Sequence, residues 1–408
     1  MANAAAGSGT WDYDVLIVGG SLVGLTLAAW LGPEGIRVLV VEAQSNGAGT
    51  AARVYALMPL TEQVWQRVGV WSRLQPVVQS YDRIHLTDQG RYPIVFTPAD
   101  LGGRPSLGSV GEQQRLWPVF REFIAQTPNV TYWEGTQLVD FVVTPTEVKV
   151  KLSRQGELVC SCVGLIVGAD GAQSLVRQEA GIPTWSWPYW QSCVTTVLYA
   201  EEPPVAYERF WPAGPLALLP LPHQRWGVVW TLPHREAQRL LRAPTAEFLA
   251  ELRPYLPFTQ VTEVGERHCF AVEWRQAQRY VQPRLVLVGD AAHRCHPVGG
   301  QGMNLGIRDV ATLGEVLVTA HRRGEDIGQL SVLRRYQRWR WFQVCLSLLF
   351  TDALNRVFSQ GWEPLVTLRA LVLQTMQRVG FLRRWSLHFM AGLWGQLPAA
   401  LVEQPANR

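Results

Sequence analysis

The run Asp14-Val15-Leu16-Ile17-Val18-Gly19-Gly20-Ser21-Leu22-Val23-Gly24 constrains this chain more than any other stretch. Four apolar residues read as a buried strand, two glycines permit a tight turn, and Ser21 opens an apolar helix. A second apolar strand follows at residues 38–41 and ends in Glu42. Strand, glycine turn, helix, strand and acid make the dinucleotide fingerprint. Gly19 serves the turn, Gly24 lets the helix pack on the strand, and Glu42 is placed to bond an adenosine ribose. Ser21 replaces the middle glycine where backbone approaches a pyrophosphate, so the ligand must accommodate a hydroxymethyl group or gain a hydrogen bond from it. Taken alone, this fingerprint accepts NAD or FAD equally.

A later stretch, LVLVGDAAHRCHPVGGQGMNLGIRD at residues 285–309, decides between them. A buried strand delivers Asp290, whose carboxylate suits a polyol hydroxyl such as that of a ribityl chain. The loop Pro297-Val298-Gly299-Gly300-Gln301-Gly302 has little side-chain bulk, so its amides can approach a flat ring at the positive end of the helix that follows. An anionic reduced flavin is stabilised in such a place. A third segment, residues 164–177, again runs from a strand into an acidic turn, Asp170-Gly171, and then a helix bearing Ser174 and Arg177.

His296, Pro297, Gly299, Gly300, Gln301, Gly302, Asn304, Gly306 and Asp309 together resemble the signature of the UbiH-type ubiquinone-biosynthesis flavin hydroxylases, a branch of the aromatic-ring monooxygenases. The fingerprint at 14–24 and the Asp-Gly segment stand where that family places them. Tyr207 to Leu221, with Trp226 and residues 228–230, resembles the substrate-sheet segment of that branch. The resemblance implies an α/β fold like that of p-hydroxybenzoate hydroxylase: a Rossmann-like FAD-binding domain, an inserted β-sheet substrate domain and a C-terminal helical region. It also implies FAD contacts at Gly19, Ser21, Leu22, Val23, Gly24, Glu42, Arg53, Gln113, Val139, Asp170, Asp290, Pro297, Gly299, Gly300, Gly302, Met303 and Asn304. The implied activity is hydroxylation of a polyprenylated phenol in ubiquinone- or plastoquinone-type biosynthesis. NAD(P)H is the electron donor, O2 the co-substrate, and a flavin C4a-hydroperoxide the oxygen carrier. No catalytic side chain is assigned by sequence; a lone His223 or Tyr207 is more often structural.

Three other readings share these motifs: a hydroxylase of a soluble aromatic acid, a prenyl-chain reductase of the same fold, and a flavin-bearing scaffold subunit of a quinone-biosynthesis complex. Trp185, Trp187, Trp190, Phe210, Trp211, Trp226 and Trp230 would provide a wide apolar surface for a prenyl tail if several of them face the cleft.

Motif positions divide the chain into a discontinuous FAD-binding domain (11–72, 105–186 and 276–325), a substrate domain (73–104 and 187–275) and a helical tail (326–408). The 408 residues suffice for such a core, and the net charge is +4. From residue 321 onward twelve arginines face five acidic residues, a basic excess dispersed among apolar positions. That pattern suits an acidic lipid surface better than nucleic acid. Cysteines at 160, 162, 193, 269, 295 and 345 form no paired framework, which points to a reducing compartment. His293, Cys295 and His296 match no common metal spacing, and no metal is expected. Residues 1–10 lack a signal-peptide pattern, and no run is long and apolar enough to span a bilayer. The expected location is cytoplasmic, with the tail docked peripherally on a membrane.

Overall fold

The computed structural model describes residues 11–45, 53–258 and 260–402. Residues 1–10, read above for a leader, and residues 46–52 lie outside the described set. Strand Tyr13–Val18 is central to an eight-stranded sheet, flanked in parallel by Val38–Glu42 and Glu157–Gly168. Val15, Leu16 and Ile17 have no solvent exposure, nor do Val38 to Val40 or Leu165 to Val167. Covered on both faces, these strands read as continuous apolar runs rather than alternations. Leu285–Leu287 adds in parallel beside Glu157–Gly168. Register aligns Val18 with Gly168 and Gly168 with Leu287, so three strands end at one level and deliver Gly19, Asp170 and Asp290 to the same edge. In open α/β sheets that edge is where ligands bind.

A nine-stranded sheet faces this edge. One of its faces, carrying Val194, Leu218, Trp226, Val228 and Trp230, packs with Ala237, Leu240, Phe248 and Leu252 of helices His234–Arg242 and Thr245–Leu252. The other face is turned toward the first sheet. The expected divisions at 186 and 276 fall inside strands Thr184–Tyr199 and His268–Ala277, which cross from one unit to the other. His293–Arg294 pairs with Arg275 and Gln276, so the ribityl segment itself supplies an edge to the second sheet. A three-stranded sheet of Val54–Leu57, Gly108–Glu112 and Val78–Tyr81 joins the two.

Helices Leu330–Phe358, Glu363–Arg378 and Gly380–Met390 form the tail. Ion pairs fasten it to the rest: Arg369 donates to Asp88 at 2.6 Å, both buried, Arg383 to Asp100 at 2.8 Å, and Arg340 to Asp309 at 2.8 Å. Among the described residues no helix is long and apolar enough to cross a membrane.

Helix Gln301–Arg322 carries Asp309 into the centre of the molecule. The Asp309 carboxylate accepts from Gly289 N at 3.0 Å and from Arg340 Nε at 2.8 Å, and lies 2.6 Å from His293 Nε2. Burial pushes this carboxyl up, but His293 and Arg340 outweigh burial and hold it low. Because the folded state lowers its pKa, the stabilisation is present above the ordinary carboxylate range and is lost as pH falls through the depressed value. Asp309→Asn strands the buried Arg340 charge. We expect a loss of about 3–5 kcal/mol in urea unfolding at neutral pH, with the difference from wild type shrinking in acid.

Candidate active site

The three turns open into a cavity of about 700 Å³ between the two large sheets. Gly19, Ser21, Leu22, Val23, Glu42, Arg53, Gln113, Asp170, Asp290, Pro297, Gly299, Gly300, Gly302 and Met303 all line it. Three expected contacts do not. A Cβ on Gly24 would lie 2.0 Å from Gly19 O, so Gly24 serves the close packing of helix on turn. Val139 is 47 % exposed, whereas its neighbours Gln137 and Leu138 reach the cavity; the register shifts at Val139, which is left unpaired between Leu138 and Asp140. Asn304 is buried beneath the loop. Its Nδ2 donates to Ala56 O and Gly300 O, both at 2.7 Å, while Oδ1 accepts from Met58 N at 3.0 Å and Thr61 Oγ1 at 2.7 Å. With every hydrogen-bonding position used, Asn304 positions the loop rather than touching a ligand.

Each turn owes its shape to short-range chemistry. Gly19 has φ +111°, and a Cβ there would sit 2.4 Å from Ala169 O. Glu42 accepts from Gly20 N at 2.8 Å and Gln44 N at 3.0 Å, which leaves lone pairs on both oxygens for further donors. Ser21 starts helix Leu22–Leu31 without making a side-chain cap, so its hydroxyl is uncommitted there. Gly299 and Gly300 adopt φ of +67° and +61°, turning the chain into helix Gln301–Arg322. The amides of that helix's first turn have no intrahelical acceptor. A Cβ on Gly302 would meet open space, so the backbone itself walls the cavity. His296 is buried, and burial pushes its imidazole down to about 3, so it stays neutral and its Nδ1 accepts from Val298 N at 3.2 Å.

Charge is concentrated at the nucleotide side. Interaction with Tyr55 and then Asp290 holds the Arg53 guanidinium firmly protonated against burial. The same Tyr55 hydroxyl donates to Gln113 Oε1 at 2.7 Å. Asp170 Oδ2 accepts from Val176 N at 3.2 Å, while Oδ1 is buried with no partner. Burial pushes the Asp170 carboxyl up, opposed by its hydrogen bonds from Ser174 and Val176. Arg177 is buried as a clamp: it donates to Ala291 O and Ala172 O, each at 2.9 Å, tying the Asp-Gly turn to the ribityl turn.

The aromatic surface expected from sequence is not there. Trp226 and Trp230 belong to the helix-covered face of the second sheet, and Phe210 stacks on Phe358 at 4.0 Å. Trp187 stacks on Trp274 at 3.9 Å, Trp211 packs edge-on against Tyr255, and Trp185 and Trp190 are exposed. The cavity wall is built instead from smaller neighbours such as Thr195, Ala217, Leu219 and Val229, together with Phe96 and Phe270. Sequence reasoning also passed over Arg275, which bonds Ala172 O and pairs with Glu273 at 2.7 Å, and Arg340, whose role required seeing Asp309 beside it.

Glycine turns at the carboxyl ends of a parallel sheet, facing a second sheet across a cavity, are the architecture of FAD-dependent aromatic hydroxylases. A solved p-nitrophenol 4-monooxygenase from Pseudomonas putida shares this fold with a TM-score of 0.80 at 20 % identity, over 93 % of this chain and 98 % of that one. The model of the FAD binding domain family matches residues 12–340. An uncharacterized Synechocystis protein is 39 % identical over 96 % of both chains. The ubiquinone hydroxylase UbiL of Rhodospirillum rubrum is 35 % identical over 95 % of this chain and 91 % of its own. The 3-demethoxyubiquinol 3-hydroxylase of Escherichia coli is 34 % identical over 93 % and 98 %. The chain belongs to the FAD-binding monooxygenases and, within them, to the UbiH-type hydroxylase family. It is an FAD-dependent aromatic-ring monooxygenase that uses NAD(P)H and O2.

The residues present fit FAD. The unpartnered Asp170 Oδ1, the free lone pairs of Glu42 and the side-chain-free backbone at Gly302 are each an unmet requirement that a dinucleotide with polyol and ring would satisfy. When bound, the flavin supplies the oxygen activation that no side chain provides. The protein's part is to bind, orient and keep the cavity dry. Asp290→Ala removes a carboxylate that lines the cavity beside Arg53 and Arg294. Loss of a charge-assisted hydrogen bond of about 1.5–3 kcal/mol should lower FAD affinity roughly ten- to a hundredfold, read by flavin absorbance after purification without added cofactor.

Proposed function

We propose that the ring hydroxylated by this enzyme belongs to a polyprenylated phenol of quinone biosynthesis. The observation that carries this reading is the apolar half of the cavity. Ile84, Leu86, Phe96, Leu107, Leu219 and Leu387 line it, and it reaches the C-terminal helix through Met390 and Ala391. A phenol without a long tail would leave most of that wall uncovered. The lining arginines among the described residues, Arg53 and Arg294, both neighbour Asp290, so the apolar half holds no cation to clamp an aromatic acid. Relatives named for ubiquinone chemistry support the same reading. Incubating the FAD-loaded protein with 2-farnesylphenol, NADPH and ¹⁸O2 should yield a product carrying one labelled oxygen, detected by mass spectrometry. A product gaining two hydrogens and no oxygen, or no product at all, would overturn the prenyl-phenol reading.

The same reading places the substrate's source at a membrane surface. The tail exposes Phe342, Trp362, Leu371, Phe381 and Trp385, the exposure reaching 68 % at Trp362. Arg378 and Arg384 lie among them. Helix Gly380–Met390 exposes Phe381 and Trp385 near its start and lines the cavity with Leu387 and Met390 near its end. Apolar contact plus arginines near anionic headgroups, about 1 kcal/mol each, supports peripheral docking. Full-length protein should co-sediment with vesicles containing phosphatidylglycerol at low salt, and Phe381→Ser with Trp385→Ser should weaken this at least tenfold while FAD content stays unchanged. Equal sedimentation of both proteins would remove the tail from the docking role.

A further inference from the structure

The second sheet presents one row of side chains across its cavity face. Glu208 stands opposite Leu86 on one side and Ala217 on the other. Ala217 is opposite Val229, and Val229 opposite Thr195. All five line the cavity, and Glu208 is the one ionisable member of the row. Along strand Ala206–Phe210 the Tyr207 ring packs on His85 and Trp226 while its residue borders the cavity, and Arg209 donates to Tyr255 O at 2.8 Å. Glu208 forms no ion pair with any described residue. The nearest polar influence on its carboxylate is the backbone amide of Gly299, in the loop that walls the flavin side.

A carboxylate on an apolar sheet face, without a counter-charge, is costly to keep unless it has work there. We propose that Glu208 is a catalytic residue, the base that takes the proton of the substrate's phenol hydroxyl. This rests on the phenol reading above and names the group that reading lacks. The phenol O–H bond breaks, its proton passing to the carboxylate and its electron pair staying on the phenolate oxygen. One atom of O2 then bonds to the activated ring carbon, and the other leaves as water with electrons from NAD(P)H. When that carbon loses its hydrogen as a proton, the ring oxygen recovers one from Glu208, and the carboxylate is restored.

The surroundings suit the task. Burial pushes the Glu208 carboxyl up to about 7, with the Gly299 amide pulling against it. A base is most effective when its pKa lies near the working pH. No neighbouring charge fixes its state. His85 faces Tyr207, Asp88 is held by Arg369, and Arg225 is held by Glu112. Cys193 on strand Thr184–Tyr199 is a neutral buried thiol, and Pro297 to Gly302 bring no ionisable side chain. Arg53, Tyr55 and Asp290 line the nucleotide side of the same cavity.

The test uses the FAD-loaded full chain with 2-farnesylphenol. Wild-type hydroxylation should rise with pH through about 7, as the base deprotonates. Glu208→Gln should retain FAD, lose roughly a hundredfold in product formation and lose that pH limb, with NADPH oxidation reduced far less. Glu208→Asp, which keeps the carboxylate, should recover part of the rate. Infrared spectra of the wild-type minus the Glu208→Gln holoenzyme should show a protonated-carboxyl band that disappears as pH rises through neutrality and shifts in Glu208→Asp, the subtraction removing the band of Glu62, which burial also pushes up to about 7. A wild type that oxygenates the phenol beside a Glu208→Gln variant with unchanged rate and pH profile overturns the role of Glu208 alone, as does absence of the band from the difference. A wild type that leaves 2-farnesylphenol unoxygenated sinks the phenol reading, and this role with it.

Discussion

The Asp309 carboxylate is the point on which the rest of the site depends. It binds the amide of Gly289, the imidazole of His293 and the guanidinium of Arg340, and so joins the ribityl turn, the edge of the second sheet and the longest tail helix to helix Gln301–Arg322. A buried ion pair of this kind contributes little net stability over an apolar substitute, because desolvation offsets most of the attraction. Its value lies in geometry. An apolar side chain at 309 could fill the space, but it could not hold Gly289 and hence Asp290 at a fixed height above the loop.

Around that anchor the molecule separates two chemical environments. The nucleotide side holds the acids and Arg53 on turns whose backbone is shaped by glycine. The middle of the facing sheet, at Leu86, Ala217, Leu219 and Val229, is apolar around Glu208, and its opposite surface is sealed by helices His234–Arg242 and Thr245–Leu252. A cavity with polar groups at one end and alkyl groups at the other binds a ligand in one direction only. Orientation is thus fixed before any contact specific to the reacting ring is made.

Sequence gave access to the features that depend on backbone chemistry. Gly19, Gly24, Asp290 and the 297–302 loop were legible because positive φ, close approach and acidic turns restrict which residues can stand there. What failed was the direction of side chains across strands. Period-two alternation says that Val229 and Trp230 face opposite ways, but not which of the two faces a ligand; that is decided by helices arriving from elsewhere in the chain. Val139 was misplaced because a register shift in its strand, invisible in the sequence, leaves it unpaired. Glu208 was hidden between Tyr207 and Arg209, in a stretch whose polar residues look alike until the sheet register separates them. The strands that cross positions 186 and 276 show the same limit, since long strands can serve two units without any composition break.

The order in which the cavity walls occur along the chain has a consequence for biogenesis. Its parts come from Gly19, the region near Gln113, Asp170, the strand at 206–210, the loop at 297–302 and finally Met390 and Ala391. The parallel strand Leu285–Leu287 can join Glu157–Gly168 only after more than a hundred intervening residues have been made. Contacts so distant in sequence form slowly, and unpaired strand edges stay exposed until they do. During synthesis the nascent protein therefore carries an open Gly168 edge and an incomplete pocket. Flavin supply and chaperone capture, acting on a nearly finished chain, become part of what sets the yield of active enzyme.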